Sequence, residues 1–311
     1  MATFYDLASL TKPLVTAPLA LECLDLDRDR REQLGFHRAE PLTVRQLLSH
    51  SAGLPPWLPF TGEVWGARLQ RPMPQAEHGL FRSGRVGTSL YSDLGYALVA
   101  QLLEEEQGRS FAALGQALTG LEPAPWKAAP VALPHGQDAV AWALAEPEVP
   151  FPPRAAHLPH DANARAGMKG HAGFGATAEQ VRRWLETWRK AYLPYMAVPI
   201  AANEEGTPWG LGLHSVTDPQ YGLLLEALPD SGAVRVIEDA TTHAPPPLPP
   251  LDSCSNTHFW MHLAYTGPAL FARPQESTVL CLLVNRLGPD GELLSMEGLK
   301  ARRCAVLQKV G

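Results

Sequence analysis

Ser9 and Lys12 stand three residues apart in Asp6-Leu-Ala-Ser-Leu-Thr-Lys-Pro-Leu, at the mouth of an apolar run. Three residues is just under one helical turn, so on a helix the hydroxyl and the ammonium project from one face and can meet. Serine is a weak nucleophile until a neighbouring base or a lowered proton affinity activates it, and a desolvated amine supplies either. Ser9 would also lie at a helix N-terminus, where backbone N–H groups favour negative charge developing on Oγ. Pro13 is tolerated there because first-turn N–H groups have no intrahelical partner to lose. About one S-x-x-K arises by chance in a chain of this length, and Ser9 would serve equally as an N-cap, so the pair needs partners elsewhere.

Three later stretches offer them. His50 ends the segment Leu42-Thr-Val-Arg-Gln-Leu-Leu-Ser-His, where a histidine most often serves as a hydrogen-bonding or dipole partner. In Ser89-Leu-Tyr-Ser-Asp-Leu-Gly-Tyr, Asp93 is well placed as an N-cap, which accounts for it without chemistry. Tyr91 is not so explained: it is either a packed amphipathic ring or a phenol poised to exchange a proton. The third stretch, His262-Leu-Ala-Tyr-Thr-Gly, sits on a β-rich run near the C-terminus.

The elements that must position these residues follow from patterning. Leu14 to Leu24 continues the first helix. Thr43 caps a short helix stopped by Gly53 and Pro55, and Leu94 to Gln107 is helical, closed by Gly108. A glycine-rich loop from His160 to Gly175 precedes Thr177, which caps an amphipathic helix carrying Val181, Trp184, Leu185 and Trp188 on one side. Beyond Trp209 the texture becomes short strands: Leu211 to Val216, Ala233 to Ile237, Phe259 to Tyr265, Ala269 to Ala272 and Thr278 to Asn285, before a closing helix from Glu297 to Val310. The expected class is α+β, a mostly helical stretch over about residues 22–200 followed by an antiparallel sheet and terminal helix over about 205–311, in one domain.

Composition excludes several partners. With 311 residues, 26 basic against 32 acidic and a net charge of −6, there is no electrostatic footprint for nucleic acid or an anionic membrane. No run approaches a membrane span and no leader pattern follows Met1, so the expected compartment is the cytoplasm. Cys23, Cys254, Cys281 and Cys304 are scattered without C-x-x-C, which indicates neither zinc nor a redox motif. The 30 prolines cluster in Pro55 to Pro59, Glu146 to Pro153 and Ala244 to Pro250, as stiff loops on a folded body.

With Ser9-Leu-Thr-Lys12, then Tyr91-Ser-Asp93, then a strand carrying His262, the chain resembles the serine β-lactamase-like superfamily, in its branch of class C β-lactamases, D,D-peptidases and esterases. The resemblance implies an acylated nucleophile at Ser9, an activating amine at Lys12 and, at Tyr91, a phenol that takes the serine proton and returns it to the leaving group. Asp93 would occupy the place of the asparagine in Y-x-N and partner Lys12 or the helix start. The third motif has two registers. One reads Tyr265-Thr-Gly267 literally and places Pro268, which has no N–H, where an oxyanion donor should stand. The preferred one matches His262 to Gly267 with the His-Thr-Gly-aromatic-Thr-Gly form of esterase-like members. It makes His262 the cationic or hydrogen-bonding residue and gives the oxyanion donors as the amides of Ser9 and Tyr265.

The departures shape the expected substrate. Leu263 stands where a threonine hydroxyl helps bind a substrate carboxylate, and Ala264 replaces a glycine, so a neutral ester or amide is favoured over an anionic penicillin-like substrate. No metal or cofactor is needed. Family members also place strands ahead of the S-x-x-K helix, whereas Ser9 is close to the first residue. The expectation is either an upstream gene start, which would reopen the question of compartment, or a sheet with an exposed edge. A catalytically idle relative serving as a binding or scaffold protein is the alternative function.

Overall fold

The computed structural model describes residues 2–58, 84–128, 130, 157–228, 232–241, 243–244, 259–288 and 293–309. Cys254, the proline run Glu146 to Pro153 and most of Ala244 to Pro250 lie outside them. Strand β1 (Phe4–Asp6) leads into a 3-10 turn (Ala8–Leu10), a π turn (Lys12–Thr16) and helix α1 (Ala17–Cys23). The expected helix, carrying Ser9 and Lys12 and continuing to Leu24, is therefore wound three ways, and prolines account for part of it. Pro18 brings no N–H to the segment. The carbonyls of Pro13 and Leu14 are taken instead by the indole N–H groups of Trp188 and Trp184, each at 2.8 Å.

Those tryptophans belong to α6 (Ala178–Ala191), whose apolar stripe Val181, Trp184, Leu185 and Trp188 is buried as the periodicity predicts. Thr177 and Gln180 form a capping box at its start, as do Thr43 and Gln46 at the start of α2 (Val44–Leu48). Helix α3 (Asp93–Gln107) ends at Gly108 in the left-handed conformation, φ 61°. Its N-cap is Ser92 rather than Asp93, which is the first helical residue. Helix α4 (Phe111–Thr119) and the four-residue α5 (Ala162–Arg165) complete this part, followed after α6 by α7 (Leu193–Met196).

Two sheets are present among the described residues. A small one has the order β1-β3-β2, with β2 at Glu122–Pro123 and β3 at Phe174–Thr177, all antiparallel. The one described strand ahead of Ser9, β1, thus belongs to the small sheet, and part of the expected glycine-rich loop is strand β3. The large sheet has the order β4-β5-β6-β8-β9-β10-β7. Its strands are β4 (Ala201–Ala202), β5 (Pro208–Trp209), β6 (His214–Ser215), β7 (Val234–Asp239), β8 (Trp260–Leu263), β9 (Ala269–Arg273) and β10 (Thr278–Val284). All neighbours are antiparallel except β7 on β10, which is parallel, so the expectation of a wholly antiparallel sheet is corrected at that edge. The same pairing puts six residues of β7 against β10, and that flank of β10 is covered.

Alternation along the strands divides the core in two. Val279, Cys281 and Leu283 of β10 join Leu270 and Ala272 of β9 on the face packed against α1, α3 and α6. Leu280, Leu282 and Val284 join Met261 and Phe271 on the other face, against α8 (Pro219–Glu226) and the C-terminal α9 (Met296–Gln308). The sheet is thereby clamped between helices on both sides, an α+β architecture.

Candidate active site

Ser9 sits in the 3-10 turn directly after β1, and its position is set by strain and by Asp6. Ala8 has φ 42°, an unusual conformation for a residue with a Cβ. The Asp6 carboxylate fixes it: Oδ1 accepts from the Ala8 amide and Oδ2 from the His160 amide, both at 2.8 Å. The Asp6 carbonyl in turn accepts from the Thr266 hydroxyl at 3.1 Å. One residue therefore ties together the Ser9 turn, the segment leading to α5 and the turn after β8.

Lys12 reaches Ser9 from the same turn and Tyr91 from 82 residues further along the chain. The Lys12 ammonium donates to Ser9 Oγ at 3.2 Å and to the His171 carbonyl at 3.0 Å, and the Tyr91 hydroxyl donates to Ser9 Oγ at 3.0 Å. Asp93 Oδ1 lies 2.7 Å from Lys12 Nζ. Lys12 is fully buried, and its ammonium also lies 5.0 Å from the centre of the Tyr91 ring. Burial opposes the charge on Lys12, but the Asp93 carboxylate and the Tyr91 oxygen outweigh it and the proton affinity is raised. Burial likewise pushes Tyr91 above its ordinary value, against the pull of Lys12. The resting pair is thus an ammonium beside a neutral phenol.

A shell of rings holds Tyr91. His50 stacks on it at 4.7 Å between centroids, and Trp209 lies 5.0 Å from His50, edge-on. His50 Nδ1 accepts from the Ser92 amide at 2.9 Å, which leaves the proton on Nε2. Burial lowers His50 well below the usual histidine range, so it is a neutral hydrogen-bonding partner and not a dipole-stabilised cation. His262, on β8, is also buried, 6.0 Å from the Tyr91 ring. Its Nδ1 donates to the Gly212 carbonyl at 2.8 Å, and burial with the nearby Lys12 charge keeps it neutral. The cationic reading of His262 is corrected on that ground: a second charge beside buried Lys12 would be uncompensated.

The side chains open onto a cavity of about 370 Å³. Ser9, Tyr91 and Asp93 line it with Leu263, Ala264, Tyr265 and Thr266, while Trp57, Pro56 and Met296 supply apolar wall. His262 and Lys12 lie behind that wall. Ala264 pairs with Pro268 across the turn, amide to carbonyl at 2.8 Å, and Tyr265 lines the cavity. Arg303 holds this turn from behind through the carbonyls of Ala264, Gly267 and Pro268 at 2.6, 2.8 and 3.2 Å. Arg286 lies 3.9 Å from the Tyr265 ring centre and donates to its carbonyl.

Sequence reasoning missed Asp6, Arg303 and the pair formed by His171 Nε2 and Asp161 Oδ1 at 2.8 Å. Burial pushes the Asp161 carboxyl up, but His171 and the Ala164 amide together bring it below the usual carboxylate range. Asp93, Asp161 and His171 offer ligand atoms within 4.8 Å of one another. Lys12 already contacts Asp93 and the His171 carbonyl, so the positive charge such a cluster calls for is supplied by the protein.

A sequence model of the family described as Beta-lactamase matches residues 2–303. The chain belongs to the Beta-lactamase family. Among solved structures, this family member is similar to SurE with D-Leu, at 21% identity and TM-score 0.56, covering 100% of this chain and 64% of that one. A class C β-lactamase from Rhodobacter sphaeroides matches at 17% identity and TM-score 0.53, over 100% of this chain and 86% of that one. A mutant of the simvastatin synthase LovD from Aspergillus terreus matches at 14% and 0.55, over 99% and 84%. At such identities the likeness is one of fold, and this chain spans under two thirds of the length of SurE. No curated protein matches it in sequence. No helix among the described residues is long and apolar enough to cross a membrane.

Proposed function

We propose that this Beta-lactamase family member is a serine hydrolase that forms an acyl-enzyme on Ser9 and prefers neutral esters. The observation that carries the reading is one hydroxyl, Ser9 Oγ, within 3.2 Å of Lys12 Nζ and 3.0 Å of the Tyr91 hydroxyl, on the wall of a cavity large enough for a small acyl group. The reactive form is the Lys12–Tyr91 pair less one proton. In it, the Ser9 proton passes to Tyr91 as Oγ bonds to the substrate carbonyl carbon, and Tyr91 hands it to the departing alkoxide as the ester C–O bond breaks. Water then repeats the sequence, attacking the acyl carbon while Tyr91 takes its proton and returns it to Ser9. The amides of Ser9 and Tyr265 are the donors assigned to the developing oxyanion.

Charge favours a neutral substrate. Among the described residues that line the cavity none is Lys or Arg, while Asp93 and Asp161 are both there. A carboxylate-bearing substrate would find no cation among those described lining residues, and Leu263 stands where the resemblance places a hydroxyl that could have bound it. The scattered cysteines, without a C-x-x-C, fit a reducing compartment, and the cytoplasm is the proposed location.

Hydrolysis of short-chain p-nitrophenyl esters compared with a chromogenic cephalosporin tests the substrate class. We expect the ester to be preferred, and a cephalosporin preference of about tenfold, ~1.4 kcal/mol in transition-state binding, would overturn it. The idle-scaffold reading has one observation in its favour, the ion pair that keeps Lys12 from being a free base. It predicts no turnover of either substrate and no difference on Ser9→Ala.

A further inference from the structure

Asp93 carries a full charge where an asparagine would be neutral. As the first residue of α3 it makes no helix cap, and its carboxylate is turned to Lys12 at 2.7 Å, with the Asp93 side chain 14% exposed and that of Lys12 at 0%. The groups facing Lys12 come from every side of the site. Tyr91 lies across from it, the Tyr96 ring of α3 is 5.7 Å away, and the His171 carbonyl accepts from it. Asp161 acts on it from the start of α5, but that carboxylate is bound to His171 and to the Ala164 amide. His50 after α2 and His262 on β8 are neutral, and His214 behind them is lowered by burial to about 4, so none adds positive charge near neutral pH. The Tyr96 hydroxyl is committed to the Leu48 carbonyl. Asp93 is the carboxylate in direct contact with the Lys12 ammonium.

We propose that Asp93 sets the proton inventory of the site: its negative charge keeps one proton on the Lys12–Tyr91 pair and thereby places the working range of the enzyme on the alkaline side. The inference rests on the hydrolase reading for its kinetic consequence, though the coupling of Asp93 to Lys12 does not need turnover. The sign follows from charge alone. Passing from resting to reactive pair removes one positive charge, which a fixed negative neighbour opposes. A neutral amide of the same shape removes that opposition. The proton lost by the pair goes to solvent, and no other group changes state.

The test is Asp93→Asn, with Asp93→Glu as the charge-keeping control, in the full chain. Lysines labelled with ¹³C at Cε are titrated by NMR, with Lys12 assigned by Lys12→Met, and kcat/KM for p-nitrophenyl acetate is measured against pH. We expect the Lys12 titration in Asp93→Asn to fall by about one to three pH units, as for removal of a charge in contact, and the rising limb of kcat/KM to move down with it. Asp93→Glu, which keeps the charge, should leave the pH of the Lys12 titration and of the rising limb near those of the parent, whatever its rate. A residue that merely holds the start of α3 would lower the rate equally at all pH values and leave the titration of Lys12 where it was. That outcome, or a shift upward, overturns the proposal. If Lys12 shifts as expected while no variant turns over ester and Ser9 takes up no acylating probe, the proton assignment stands and the hydrolase reading fails.

Discussion

Lys12 and Arg303 are both cations withdrawn from water, one in front of the large sheet and one behind it, and they do opposite work. Lys12 is surrounded by a hydroxyl, a phenol and a carboxylate, partners that themselves exchange protons or react. Arg303 is surrounded chiefly by backbone carbonyls, which only hold it. Burial opposes the charge on both, yet the net direction is up for Lys12 and down for Arg303. The difference is the full carboxylate at Asp93 against carbonyl dipoles. Arginine stays charged regardless and serves as a fixed fork, whereas lysine, with its more labile proton, serves chemistry. A buried cation is thus read from its partners and not from its burial.

The contrast is broken most directly at Lys12. Lys12→Met should lower ester turnover by about a thousandfold, as expected for losing a proton-transfer partner, a loss of rate larger than any loss of folded protein. Arg303→Met should show the reverse. Three turn carbonyls lose their donor, so urea titration should reveal a loss on the order of 3 kcal/mol, while the protein that remains folded keeps a rate within a few-fold of the parent. If Lys12→Met unfolds the chain and Arg303→Met spares it, the two cations have been assigned the wrong way round.

Smaller effects sharpen the picture. Gly170 has φ 88°, and a Cβ there would meet the Tyr96 carbonyl at 2.2 Å; Gly173, φ 105°, faces open space. Gly173→Ala should cost about 1–3 kcal/mol from backbone strain, and Gly170→Ala more, with added loss of activity because it displaces the His171 carbonyl that holds Lys12. In the parent enzyme kcat/KM should still be climbing with pH on the alkaline side, since Lys12 and Tyr91 are both shifted upward and the reactive pair has one proton fewer. A plateau near pH 7 would contradict that protonation state. Least of all, Leu263→Thr should raise turnover of a carboxylate-bearing ester by less than tenfold relative to a neutral one.

Much of the site could be read before folding because its chemistry lies in residue types. Ser9 and Lys12 share a face by spacing alone, and Tyr91 was the residue its local helix start left unexplained. The α2, α3 and α6 boundaries followed from Thr43, Gly108 and Thr177, whose capping is local. What escaped depends on distant partners. The protonation of His262 is set by a carbonyl at Gly212, fifty residues earlier, and by the charge of Lys12, neither visible from the strand that carries it. The parallel pairing of β7 escaped because period-two alternation marks a strand and not its direction. Asp6 looked like part of the motif's flank, and only the fold shows it bracing Ala8, His160 and Thr266 together.

The central claim concerns one oxygen. Intact-mass analysis of the folded chain after brief exposure to a fluorophosphonate, followed by peptide mapping, should find a single adduct on Ser9, formed far more slowly in Tyr91→Phe and absent from Ser9→Ala. An adduct on another residue, or none in a chain shown by circular dichroism to be folded, would contradict the account.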